Sequence, residues 1–171
     1  FELSETYRTP VLLRMTTRVC HSKCIMATRE KTAAPAVNYV KDVQSNVMVP
    51  AFAKLAHRRL RARLAEIARI NDAEGEFIKE TAGSADLGII ATGISAMHAR
   101  EAAPEASFLQ IGLTYPLPME RIRKFAASVK RCVVVEEGDP ILYTACRAAG
   151  IPVDGKDEMF RFGELTVGRT R

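Results

Sequence analysis

Three short apolar runs, each closed by a turn or polar residue, constrain this chain more than any other feature. Leu87 to Ala91 ends at Thr92 and Gly93, Phe108 to Leu113 ends at Thr114, Tyr115 and Pro116, and Cys132 to Val135 ends at Glu136, Glu137 and Gly138. Near-continuous apolar strands belong in a sheet covered on both faces. Helical patterns separate the runs, so right-handed crossovers make the strands parallel and put every carboxyl end on one edge. An open α/β sheet binds ligands at that edge. The residue types there are Thr92, Ser95, Thr114, Tyr115, Glu136, Glu137 and Asp139, the candidate ligand-facing set.

Helical spacing fills the intervals. Ile94 to Ala102 makes a short helix that stops before Pro104. A second starts at Pro118, with Met119, Ile122, Ala126 and Val129 inward. A third starts at Pro140, buries Leu142, Ala145 and Ala149, and closes at Gly150. Asp139 is the expected N-cap of that third helix. Ile151 to Val153 is a strand stub, and Met159 to Phe162 predicts an edge strand with Phe160 and Phe162 on one face. Gly163 to Arg171 gives no reason for order.

Upstream, Phe1 to Tyr7 reads as the last turns of a helix and Val11 to Met15 as a strand. A helix and strand without partners leave apolar surface bare, so the chain is expected to be an excised piece of a longer one. Met26 to Val49, punctuated by Pro35 and Pro50, is a linker or strap. Pro50 then opens a helix to about Ile70 with the stripe Phe52, Ala56, Leu60, Leu64, Ile67 and Ile70. Asp72 to Asp86 is a polar, acidic approach to the first central strand.

Charge separates function classes. The net charge is +5, and six cations lie between Lys54 and Arg69 against the single acid Glu66. No aromatic residues interleave with them to stack bases, so a solvated or partner-facing helix is expected and nucleic acid is not. No run approaches the roughly 20 apolar residues of a membrane span, and Phe1 to Glu5 lacks the pattern of a signal peptide. The plain expectation is a soluble cytoplasmic protein with no membrane partner.

Chemistry is sparsely written. Cys20 and Cys24 supply one thiolate pair with no second pair at ligand spacing, and are expected beside a strand; Cys132 and Cys146 stand apart. No metal site is predicted. His21, His57 and His98 share no short spacing, and no nucleophile-and-base arrangement can be read from the residues around them. Gly93 and Ser95 sit where a nucleophile elbow would, but the second glycine is missing, so Ser95 is expected in the first helical turn. Glu136 and Glu137, as strand neighbours, point to opposite faces and cannot serve one substrate. Glu137 and Asp139 could converge.

Several stretches resemble one family. Phe1 to Ser22, with Thr9 to Arg14 and Thr16 to Ser22, is similar to the end of the pyrimidine-type domain in alpha subunits of indolepyruvate:ferredoxin oxidoreductases, within the 2-oxoacid:ferredoxin oxidoreductase family. Val47 to Ala51, followed by Arg59, Leu60, Arg63 and Leu64, resembles the linker helix. Leu87 to Gly93, Leu113 to Pro118, Val135 to Glu137 with Asp139 and Pro140, and Gly155 to Asp157 with Gly163 to Leu165 resemble the next domain.

The resemblance implies an organisation in three parts. Residues 1–25 are the end of a pyrimidine-type thiamine-diphosphate domain, 26–83 a linker with a basic amphipathic helix, and 84–171 a three-layer α/β domain like the transketolase C-terminal domain. It implies a parent enzyme that decarboxylates aryl pyruvates oxidatively to acyl-CoA and passes electrons to ferredoxin. Thiamine diphosphate, Mg²⁺ and 4Fe-4S clusters are then its cofactors, and a beta subunit and the remaining domains its partners. This chain lacks a Gly-Asp-Gly metal motif and a cysteine run for a cluster, so no catalytic residue maps onto it and no cofactor is expected in it. The expected role is non-catalytic architecture and subunit contact. The alternative is a stand-alone flavodoxin-like module taking a small anion at the Thr92, Tyr115 and Glu137 edge.

Overall fold

The computed structural model describes residues 1–28, 30, 39–73 and 77–170. The chain divides into two units, Phe1–Arg63 and Leu64–Arg171.

The first unit holds short helices α1 (Glu2–Tyr7), α2 (Thr17–His21) and α3 (Val43–Asn46), and the opening turns of a long helix α4 (Pro50–Ala73). α1 is the helix expected there. It ends at Arg8 in the left-handed region (φ 45°), and the Arg63 guanidinium donates to the carbonyls of Tyr7 and Arg8, which have no partner inside the helix. Val11 to Met15 is not a strand. No described segment offers it a ladder, and Leu12 and Leu13 stay exposed. The Thr16 to Arg18 stretch starts α2 instead, with the Thr16 hydroxyl accepting from Val19 N at 3.4 Å. Cys20 and Cys24 therefore sit exposed on α2 and just beyond it, not beside a strand. Pro35 lies outside the described residues.

Helix α4 begins at Pro50 as expected and runs past Ile70 to Ala73. Of its apolar stripe only Ile67 is fully buried, while Leu60 is exposed.

The second unit is built on a four-stranded sheet in the order β1-β3-β2-β4. β2 (Ser84–Thr92), β3 (Ala106–Ile111) and β4 (Arg131–Val135) are mutually parallel, as their apolar runs require. β1 (Ile78–Thr81) is an antiparallel edge strand on β3, inside the stretch expected to be only a polar approach. Its one buried apolar residue, Ile78, gives no period to read, so its pairing with β3 is what makes it a strand.

Three helices cover the sheet. α5 (Ser95–Ala102) follows β2, and its Ala96 and Ala99 pack on Ile89, Ala91 and Phe108. α6 (Met119–Ala127) and α7 (Ile141–Ala148) place Ile122, Phe125, Leu142 and Cys146 on Ile90, Leu109, Ile111 and Val134. Opposite side-chain faces of β2 thus enter two different cores, giving the predicted three-layer α/β arrangement. Gly88 lets α6 approach: a Cβ there would lie 2.7 Å from a Val129 methyl. Gly150 (φ 69°) closes α7 in the left-handed conformation expected of it.

After α7, Ile151 and Val153 are buried, and Asp154 pairs with the outer side of β4 through two 2.8 Å backbone bonds. That pairing takes up ladder space beside β4. Met159 to Phe162 is accordingly no edge strand; Glu158–Arg161 forms a 3₁₀ turn. The last segment is ordered, against expectation: Leu165 is 5% exposed and α8 (Val167–Thr170) packs against α5.

Candidate functional site

The seven candidate residues follow the carboxyl ends of β2, β3 and β4, which are neighbours in the sheet. Thr92 ends β2 and is half-buried, while Ser95 starts α5 and is fully buried, in the first helical turn as expected. Thr114 and Tyr115 are exposed in the loop after β3, with a cis bond from Tyr115 to Pro116.

That loop is held from α4. Asn71, 2% exposed, donates through Nδ2 to the carbonyls of Leu113 and Pro116, both at 3.0 Å. Its neighbour Asp72 accepts from Arg121 N at 3.1 Å, in the first turn of α6. Two adjacent side chains of one helix therefore position both ends of the β3 to α6 connection. Their polar side chains follow the last apolar position of the helix stripe, and nothing in that local pattern signals the distant carbonyls and amide they bind.

The acidic trio after β4 is used differently from expectation. Asp139 is exposed and caps nothing with its side chain; Pro140 occupies the N-cap position. The cap comes from Glu136, whose two carboxylate oxygens accept from Leu142 N at 2.8 Å and Tyr143 N at 2.9 Å. Its buried carboxylate needs those donors, and the helix start supplies them along with a favourable dipole. Pro140, which donates no N–H, leaves the next amides open to a side chain arriving from the strand end. Glu137 points elsewhere and accepts from Leu165 N at 3.0 Å. Both residues lie just past the end of β4, outside the strand, and both carboxylates are engaged with backbone.

Lys156 Nζ donates to the Glu136 carbonyl at 2.6 Å, and burial is the largest influence on its ammonium, pulling its pKa below the ordinary value against the pull of Glu136 and Glu137. Burial also pushes the Cys132 thiol up to about 12 and the Cys146 thiol up to about 11, so both are inert protonated core groups at neutral pH. His21, His57 and His98 lie on α2, α4 and α5.

A cleft of about 680 Å³ is lined by Arg69, Asp72, Glu80, Arg121 and Lys124, among others, and one of about 280 Å³ lies at Ser84 and Pro104. Among the described residues, no three His, Cys, Asp or Glu side chains come together to hold a metal ion. With two of the four cysteines exposed in the first unit and two buried in the second, the described residues do not offer the four thiolates of an iron–sulfur cluster. No described helix is long and apolar enough to cross a membrane.

No family model matches the chain. Among curated proteins, the indolepyruvate oxidoreductase subunit IorA of Methanothermobacter thermautotrophicus is 38% identical over 149 residues, covering 83% of this chain and 24% of that subunit. The same subunit from Archaeoglobus fulgidus is 30% identical over 158 residues, covering 88% and 25%. That from Thermococcus kodakarensis is 29% identical over 187 residues, covering 99% and 29%. A solved 2-oxoglutarate:ferredoxin oxidoreductase from Magnetococcus marinus, with 2-oxoglutarate, coenzyme A and succinyl-CoA bound, superposes with a TM-score of 0.49 at 22% identity, over 91% of this chain and 26% of that one. Matched along more than four-fifths of its own length, and spanning about a quarter of theirs, this chain is a relative of the IorA subunits of indolepyruvate oxidoreductase.

Proposed function

We propose that this chain serves as a non-catalytic, architectural part of an indolepyruvate:ferredoxin oxidoreductase alpha subunit. Its parent enzyme would decarboxylate aryl pyruvates oxidatively to acyl-CoA in the cytoplasm and reduce ferredoxin, with thiamine diphosphate, Mg²⁺ and 4Fe-4S clusters held by other domains or the beta subunit. Residues 84–171 would be the transketolase C-terminal-like domain, 26–83 the linker, and 1–25 the end of the pyrimidine-type domain.

One observation carries the non-catalytic reading. At the sheet's carboxyl edge, Glu136 spends both carboxylate oxygens on backbone amides of α7, and Glu137 gives Oε1 to the amide of Leu165, so both acids are tied to the chain's own backbone. A general base needs a free oxygen within reach of substrate. The test supplies the purified chain with indolepyruvate, coenzyme A, thiamine diphosphate, Mg²⁺ and an electron acceptor. No turnover is expected, and calorimetry should give no saturable heat with thiamine diphosphate. Turnover by the chain alone, or tight binding of the diphosphate, overturns the proposal. Saturable binding of a small anion that is lost in Thr92→Val would favour the edge-binding module instead.

A further inference from the structure

The segment after Gly155 is knit mainly to itself. The Arg169 guanidinium donates to the carbonyls of Glu164 at 2.8 Å, Phe162 at 3.0 Å and Met159 at 3.3 Å, and lies 5.7 Å from the centroid of the Phe160 ring. Phe160 N donates to the Asp157 carbonyl and Arg169 N to that of Thr166, both at 3.0 Å. One side chain thus gathers the whole segment into a body.

Among the described residues, its ties to the rest of the unit gather around the ends of β2 and β4. Leu165 is buried, its amide donates to Glu137 just past β4, Lys156 reaches the Glu136 carbonyl, and α8 rests on α5, the helix that leaves β2. The segment therefore crosses the carboxyl edge on its β2 and β4 side. We propose that residues 156–170 are a strap that closes this edge and opens as one body about Gly155, with Glu137 and Leu165 as its latch. The place where an open parallel sheet takes a ligand is then filled by the chain's own segment, and anything bound there competes with Leu165. A self-knit segment whose one fully buried side chain is Leu165 belongs at the low-stability end of a domain, where opening precedes unfolding.

Hydrogen exchange on the whole chain tests this. Glu137→Ala and Leu165→Ala should each speed exchange at the Phe160, Leu165 and Arg169 amides together, by about tenfold or more, with β2, β3 and β4 amides unchanged. Glu137→Gln, which keeps a carbonyl acceptor, should restore most of the protection. Unchanged strap protection in both alanine variants, or loss at Leu165 alone, overturns the proposal. The unaltered chain gives a second readout that needs no variant: strap amides should exchange through an opening with a smaller denaturant slope than β3 amides. Equal slopes would mean that the strap opens only with the whole unit and would sink the idea.

Discussion

Residues 1–63 and residues 64–170 are both well supplied with apolar side chains, yet none of the described residues in the first stretch is buried, whereas the second holds two packed cores. Leu12, Leu13, Ile25 and Met26 are largely exposed; Ile90, Leu109, Ile111 and Ile122 are at 0% exposure. Apolar content is similar in kind, so it cannot be the cause. The difference lies in register. In the second stretch, strands at period two and helices near 3.6 present complementary faces, and each backbone finds a ladder. In the first, the apolar run Val11 to Leu13 has no ladder beside it among the described residues.

The largest contrast should be chemical. Cys20 and Cys24 are exposed and Cys132 and Cys146 buried with raised thiol pKa values, so a thiol reagent at neutral pH should label the first pair orders of magnitude faster. Peptide mapping of the labelled chain checks this, and equal rates would break the contrast. The same thiols set an alkaline limit. Folding raises both above their ordinary 9.0, so the folded state holds protons that the unfolded state releases. That stability is whole below pH 9 and is lost as the pH climbs through about 11 and 12. Cys132→Ala should flatten the alkaline limb of a denaturation series against the parent chain.

Next comes packing. Ile122→Ala should cost about 2–5 kcal/mol through lost burial and the cavity left behind, whereas Leu12→Ala should stay within about 0.5 kcal/mol. Urea titration of the second unit's transition measures both. An equal cost at the two positions would erase the distinction between the regions.

Two smaller effects sharpen how the second unit is positioned. Glu136→Ala should destabilise by about 2 kcal/mol, since it leaves two amides of α7 without their charged acceptor, while Asp139→Ala should change little. The reverse order would restore Asp139 as the cap. Asn71→Ala should cost about 1–2 kcal/mol and speed exchange around Leu113 to Leu117 more than in β4. Uniform loss of protection would assign Asn71 to general stability instead of to the edge loop.

Much of this architecture is legible in one dimension because strand and helix periods are local. Leu87 to Ala91, Phe108 to Leu113 and Cys132 to Val135 announce parallel buried strands, Pro50, Pro118 and Pro140 mark helix starts within a residue, and Gly150 marks an end. The candidate edge residues are legible too, since carboxyl ends follow from parallel order. What they do there is not. Whether Glu136 faces a substrate or a helix start depends on where the amides of Leu142 and Tyr143 lie after the chain has turned, and no pattern in the letters records that.

The sequence by itself determined the layers, the parallel core and the edge on which the loops gather, because burial of alternating or continuous apolar residues admits few arrangements. Only the tertiary structure decided the rest: β1 as a strand, Val11 to Met15 as none, Asn71 and Asp72 as clamps, and an ordered strap ending in α8. Each of these depends on a hydrogen-bond partner far away in the chain. A ladder, a cap or a latch exists only when both of its halves arrive at one place, and that is a property of the folded chain.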